Sequence, residues 1–543
     1  MMSPYYVDRM DLTIRSLTIV LCLATVTAHA QTGYKRMHNR MLDEAKVLLS
    51  NGEYQEAAKI YQLLLPVDPE FTEVRYELGL CLAGTSGQRG RAIPLFERCV
   101  AEGHTEAHYQ LALALHREER FDEAVTLLQQ YKDLHYRLVD DPEVERRITM
   151  CRTARLLERD PMDLQIRALG PGVNSSAHDY CPLVTADGRE LYFTSRREGT
   201  TGSRKDATGQ YLEDVYRSVK QGEGAWSKAT NVGPPINSGL QDATVGLSPD
   251  GRGMIVYRTS DDLVSGDLWM TRMNEQSGWG PLERMTDRIN TEHHEPSASI
   301  APEGNEIYFT SDRPGGYGGR DIYRIRQLPD GSWSLPLNLG PVVNTPHDED
   351  APFIHSDGVT LFFSSNGHNT MGGYDVFRTT LLDGDMNGWS DPENLGYPLN
   401  TVNDDIFFTL SADGTTGYFS SERPGGLGGQ DIYEVVFPSS QLRKVVVHGL
   451  VTDGLERPIR ARVLVMDPAG EELVGIYNTD QRTGRFLMVL EPGGRFALSV
   501  EAPGFPDHAE ELQVPAASGL LEISHDIVLG SGEDQGLTRH EDR

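Results

Sequence analysis

Five carboxylates recur in register through the middle of this chain, each five residues after an asparagine: Asp179 after Asn174, Asp242 after Asn237, Glu295 after Asn290, Glu349 after Asn344 and Asp405 after Asn400. Gathered at one mouth of a central channel, five acids would crowd negative charge and attract a cation or a basic peptide. The same pattern serves a structural end, because an acidic side chain can cap the N–H groups of its own or a neighbouring turn. Both readings are open at this point. A second series, Asp214, Asp267, Asp321, Asp375 and Asp431, opens an aromatic strand beside glycines, where Asp is expected to stabilise a hairpin loop.

Other constellations are weaker. His293 and His294 adjoin Glu295, with His178 and His347 at nearby positions of other copies. Zinc needs imidazoles at about 2.0–2.1 Å from one ion, and adjacent histidines on a strand point to opposite faces, so no metal site is expected. Ser248, Ser356 and Ser411 each begin a Ser-Asp-Gly-like turn resembling a sialidase Asp-box, but the spacing differs and the match fails. No G-x-S-x-G, H-E-x-x-H or phosphate-binding loop occurs, so neither a catalytic nucleophile nor a cofactor is expected. Two acids from different copies could still form a glycosidase pair.

The elements that position these residues form one repeated unit. Each copy runs from the asparagine and acid through an apolar strand, a Gly turn, an aromatic strand ending in Ser or Thr, a loop, and then Asp-aliphatic-aromatic. The clearest copies are EGNEIYFTSDRPGGYGGRDIYRI from Glu303 and DGTTGYFSSERPGGLGGQDIYEV from Asp413, with DGVTLFFSSNGHNTMGGYDVFRT from Asp357 between them. Looser copies begin at Asp187 and Asp250. The strand-opening aspartates, Asp214, Asp267, Asp321, Asp375 and Asp431, step by 53, 54, 54 and 56 residues. A period of this size, filled with short β runs and Gly/Pro/Asn/Asp turns, predicts a β-propeller with one four-stranded blade per copy. The outermost strands carry Trp226, Trp333 and Trp389 before an Asn-Leu-Gly-like ending, and Trp279 opens a degraded copy.

Phase predicts the closure. Leu169-Gly170 and Val173-Asn174 reproduce the end of an outermost strand ahead of the first copy, while the last copy stops after its third strand near Phe437. The expected ring has five blades spanning 163–438, its fifth completed by the segment from Gln165 to Gly170, which removes exposed sheet edges. Six blades remain open if another copy lies outside this window.

The flanks differ. The chain has 543 residues, 38% hydrophobic and 24% charged, enough for several ordinary globular domains. Its formal charge of -30 disfavours nucleic acid and anionic lipid, and suits divalent cations, basic partners or simple solubility. Residues 1–30 read as a secretory signal: Arg9 and Arg15 precede the apolar run Leu17 to Val26, and Ala28-His29-Ala30 fits a small-x-small cleavage site. No later run is long enough to span a membrane, so an exported protein without a transmembrane helix is expected. Of the remaining cysteines, Cys81, Cys99, Cys151 and Cys181, the first two could pair or stay as buried thiols.

From 31 to 160 the period is helical. Ala57/Ala58, Ala92 and Ala124 mark second helices, at steps of 34 and 32 from Ala58, and Tyr76-x-x-Gly79 and Tyr109-x-x-Ala112 mark first helices. Paired helices at this step resemble tetratricopeptide repeats, three of them, followed by a solvating helix after Pro142. Such an array implies a concave face for a protein partner. Residues 443–529 predict a small antiparallel β-sandwich, and 530–543 a disordered tail.

These motifs carry a family resemblance. The blades resemble the PD40 (TolB-type, WD40-like) repeat, whose L-Y-F-S-S-D-R-P-G-G-x-G-G-x-D-I-Y core is matched at Ile307 to Tyr323 and Tyr418 to Tyr433. Thr479-Asp480, Thr483-Gly484-Arg485-Phe486 and Ala502-Pro503-Gly504-Phe505 resemble the carboxypeptidase regulatory-like domain. The domain order is similar to PorE-type periplasmic components of the type IX (Por) secretion system. That resemblance implies a non-enzymatic envelope scaffold, periplasmic and outer-membrane-associated, binding envelope proteins through its repeats and propeller face. Similar proteins continue into an OmpA-like domain; none is read after Leu529, so direct peptidoglycan binding is not expected. The alternative is a propeller that binds, and possibly cleaves, a glycan or peptide.

Overall fold

The computed structural model describes residues 36–66, 71–85, 87–185, 188–206, 208–222, 224–248, 250–274, 278–382, 387–437, 445–468, 473–479, 483–490, 493–514 and 522–530. The expected signal segment 1–30 and the tail 531–543 lie outside them. The chain divides into two compact units at Ile148/Thr149.

In the first unit, helical periodicity becomes successive helices: 36–50, Tyr54–Leu64, Thr72–Ala83, Ile93–Ala101, Thr105–Arg117 and Phe121–Lys132, and from Tyr54–Leu64 onward each packs on the next. Small residues set the spacing. Ala58, Ala92, Ala107, Ala112 and Ala124 are buried, and a Cβ on Gly79 would press on the Phe96 ring. The second pair is joined by a longer connection than the others, containing the 3₁₀ turn Arg89–Ala92. A seventh helix, Asp141–Arg159, follows, and its Glu143 accepts a hydrogen bond from Tyr109 at 3.4 Å. Among the described residues, Cys81, Cys99, Cys151 and Cys181 are buried and form no disulfide.

In the second unit, five successive antiparallel sheets follow the repeat. The first runs Asp179–Val184, Glu190–Ser195, Asp214–Gln221; the second Asp242–Leu247, Gly253–Thr259, Gly266–Asn274; the third Ala298–Ile300, Glu306–Ser311, Asp321–Arg326. The fourth runs Glu349–Ile354, Thr360–Ser365, Asp375–Thr380, and the fifth Asp405–Leu410, Thr416–Ser421, Asp431–Val436. Each first strand touches the first strand of the next sheet, and the fifth touches the first, a propeller-like circle.

The outermost strand is not continuous. Where one strand from Trp333 to Leu339 is expected, Trp333 makes an isolated bridge to Gln327 and only Leu337–Asn338 pairs further on. Pro336, which has no N–H to give, lies between them. The same division gives Ala225–Trp226 and Thr230–Asn231 in the first sheet and Gly278–Trp279 and Glu283–Arg284 in the second. In the fifth sheet the outer position is filled by Gln165–Ala168, antiparallel to Asp431–Val436 with Arg167 opposite Glu434. Trp226, Trp279 and Trp389 lie edge-on, 5.8–6.1 Å, to Tyr418, Tyr192 and Tyr308 of the preceding sheets.

The C-terminal strands form two four-stranded sheets around one core that includes Val447, Val463, Tyr477, Met488 and Leu498. The expected all-antiparallel arrangement is corrected here: Val445–Asp453 pairs in parallel with Glu522–Ser524 and Ile527–Leu529. The chain leaves His508–Gln513 at the edge of the other sheet and crosses over, so it re-enters beside Val445–Asp453 in the same direction.

Candidate functional site

All five repeated acids are buried at the start of, or just before, a first strand. Each accepts hydrogen bonds from the hydroxyl residue that follows the repeated asparagine. Asp179 takes the Ser175 N–H at 2.6 Å and its hydroxyl at 2.7 Å, and Asp242 takes the Ser238 pair at the same distances. Glu295 takes Thr291 (3.0 and 2.8 Å), Glu349 takes Thr345 (2.7 and 2.7 Å) and Asp405 takes Thr401 (2.6 and 2.7 Å). The longer Glu side chains reach further and also accept from Ser311 and Ser365. This is turn capping in each of the five copies.

Burial of a carboxylate demands a partner. Four copies supply one: Arg197 donates to Asp179 (2.5 Å), Arg258 to Asp242 (2.5 Å), Arg313 to Glu295 (3.3 Å) and Arg423 to Asp405 (2.7 Å). The same guanidiniums also donate to the carbonyls of Val173, Ile236, Ile289 and Leu399. Three lie over aromatic pairs, as Arg313 does over Phe309 (4.9 Å) and Tyr323 (5.1 Å).

The fourth copy breaks the pattern. Gly367 stands two residues after the strand-ending Ser365, where its counterparts Arg197, Arg313 and Arg423 stand after Ser195, Ser311 and Ser421. A Cβ on Gly367 would collide with the Thr345 hydroxyl. His368 takes over two of the arginine's contacts, reaching the Val343 carbonyl at 2.8 Å and packing on Phe363 and Phe377 at 5.8 and 5.2 Å. Burial lowers the His368 pKa, favouring its neutral form. Among the described residues no guanidinium thus reaches Glu349, and burial pushes its carboxyl up to about 7.

The repeated asparagines clasp backbone. Asn237, Asn290, Asn344 and Asn400 each accept from the N–H, and donate to the C=O, of Val215, Leu268, Ile322 and Val376 in turn. Asn174 does this with Ile432, 258 residues away. In the second acid series, Asp214, Asp321, Asp375 and Asp431 accept loop N–H groups from Thr201, Tyr317, Met371 and Leu427, and Asp267 pairs with Arg284 at 2.8 Å.

The histidines are dispersed. His178 accepts from the Gln430 N–H at 3.2 Å, His294 lies edge-on to Tyr257, and His293 approaches Asp312 at 3.9 Å. Among the described residues no group of three or more His, Cys, Asp or Glu is placed to hold a metal.

The five first strands enclose an apolar channel of about 40 Å³ lined by residues such as Cys181, Val245, Ala298, Pro352 and Phe408. At the capped end lie polar residues outside the repeated caps. Glu213 lies beside Tyr180, and burial raises its pKa; Asp350 faces Arg320 at 3.1 Å, and Arg320 donates to Tyr374. The sequence holds no repeated signal for these five residues, whereas the hydroxyls after each asparagine and the arginines after Ser195, Ser311 and Ser421 recur visibly.

A tetratricopeptide repeat family model matches residues 42–86 and 82–135. No curated protein matches the chain. Similar solved structures include a putative TolB from Agrobacterium tumefaciens (17% identity, 60% of this chain and 96% of that one, TM-score 0.30). An endo-arabinase from Bacteroides thetaiotaomicron is 16% identical, covers 50% of this chain and 98% of its own, and has a TM-score of 0.32. The β-propeller domain of the Trilobed protease from Pyrococcus furiosus is 9% identical over 63% and 85%, with a TM-score of 0.25. The N-terminal region of this chain is thus a tetratricopeptide array, the kind of structure that mediates protein–protein interaction.

Proposed function

We propose that this chain is a non-enzymatic scaffold of the cell envelope, exported to the periplasm and associated with the outer membrane, in type IX secretion or envelope assembly. In this reading the helical repeats hold one protein partner, a closed five-bladed propeller holds another, and a carboxypeptidase regulatory-like sandwich spaces or docks the assembly. The tetratricopeptide array carries the proposal, since stacked helix pairs present an extended concave surface. The ring adds support from the opposite direction: its repeated acids are spent on capping.

A second reading, a propeller that binds or hydrolyses a glycan or peptide, draws on Glu213 and Asp350 at the capped end, two acids outside the repeated structural roles. One experiment separates the readings. The full chain is captured with cross-linking from detergent-solubilised envelopes and its companions identified, alongside hydrolysis assays on envelope glycans and peptides. Reproducible envelope proteins without turnover support the scaffold. Absence of such companions, together with hydrolysis abolished by Glu213→Gln or Asp350→Asn, overturns it.

A further inference from the structure

A larger cavity lies at the turns joining first and second strands, away from the capped end. The turns of the second and third sheets contribute Asp250 and Glu303, the third strand of the second sheet contributes Arg272, and the C-terminal sheets contribute His448, Asn478 and Arg485. Its volume is about 250 Å³, some six times that of the axial channel. A monosaccharide-sized molecule fits such a space, which is just below the usual range of small-ligand sites, roughly 300–1,000 Å³.

Unspent hydrogen-bonding capacity distinguishes the lining. Elsewhere in the ring, Arg197, Arg217, Arg258, Arg284, Arg313, Arg320 and Arg423 each hold a carboxylate. In a chain with 80 acidic and 50 basic residues, partners are plentiful. Yet the side chains of Arg272, Arg485 and His448, which are exposed, and of half-buried Asn478 make no hydrogen bond or ion pair among the described residues, and all four meet one cavity. The two acids oppose an anion weakly. Asp250 is turned into its own loop, accepting from the Ser248 hydroxyl at 2.5 Å and the Arg252 N–H at 3.0 Å. Burial pushes the Glu303 carboxyl up to about 7, so it is partly uncharged near neutrality.

We propose that this cavity binds a small oxyanion, a carboxylate or phosphate on a molecule no larger than a monosaccharide. Arg272 and Arg485 hold the anion in forked, charge-assisted hydrogen bonds, and His448 and Asn478 add further donors. The ligand bridges ring and sandwich, so its binding stabilises their junction.

Calorimetric titration of the full chain tests this with D-glucuronate, glucose 6-phosphate and uncharged glucose as probes. Saturable binding of glucuronate identifies a carboxylate ligand, binding of glucose 6-phosphate a phosphate one, and glucose should bind neither tightly nor saturably. Arg272→Ala with Arg485→Ala should weaken the acid by about tenfold or more, the loss of charge-assisted bonds, at unchanged melting temperature. Arg485→Lys, which keeps the charge without the fork, should give an intermediate loss. The proposal is overturned if neither acid binds, if glucose binds equally well, or if the double alanine variant binds as the parent does.

Discussion

At the scale of single residues, the repeated acids turn on one substitution. Four of them sit buried beside a guanidinium, while Glu349 sits buried beside Gly367 and a neutral His368. Its folded pKa of about 7 lies above the ordinary value of 4.5. As pH rises from 4.5, the unfolded chain loses this proton first while the folded chain holds it, so the group costs stability increasingly up to pH 7. A gap of this size corresponds to about 3 kcal/mol. Glu349→Gln mimics the protonated form, its amide N–H groups facing the Thr345 and Ser365 hydroxyls. Thermal melts should show the variant gaining on the parent as pH goes from 5 to 8; a difference independent of pH contradicts the assignment. The acids themselves were legible from spacing alone. Their neutralisation was less so, because the arginine's reach to Asp179 or Asp405 depends on the fold of a loop that glycines make locally ambiguous.

At the scale of elements, each sheet is tied by an asparagine that satisfies both backbone groups of one strand residue. Asn344→Ala would leave the Ile322 N–H buried and unpaired while its C=O keeps the Leu339 N–H, and the loss is expected at about 1–3 kcal/mol by chemical denaturation. A loss below about 0.5 kcal/mol, the level of a neutral surface change, would show that the clasp is dispensable. Strand positions in the repeat were readable because alternation, turn glycines and aromatic pairs agree with one another. Two features were not. The outer strand reads as continuous from Trp333 to Leu339, but pairing is interrupted between the Trp bridge and Leu337–Asn338. The parallel strand in the C-terminal sheets was missed because direction is set by a crossover between sheets, which alternation does not encode.

At the scale of the whole molecule, the ring is completed by a strand that comes before it in sequence. Phase alone located that strand, since Leu169-Gly170 and Val173-Asn174 copy an ending whose beginning lies at the far end of the repeat. In the structure Gln165–Ala168 pairs with Asp431–Val436, and Arg167 Nε donates to Glu434 at 2.7 Å across 267 residues. Closure covers the third strand of the fifth sheet with an outer strand, as in the other sheets. Partners and location were not readable from any site, because surface recognition leaves no fixed spacing in one sequence. A charge swap across the seam tests the closed ring most directly. Arg167→Glu alone should lower the melting temperature, and adding Glu434→Arg should restore part of the loss, a coupling of about 1 kcal/mol or more. Losses that simply add, with no recovery in the double variant, would show that the two strands do not meet.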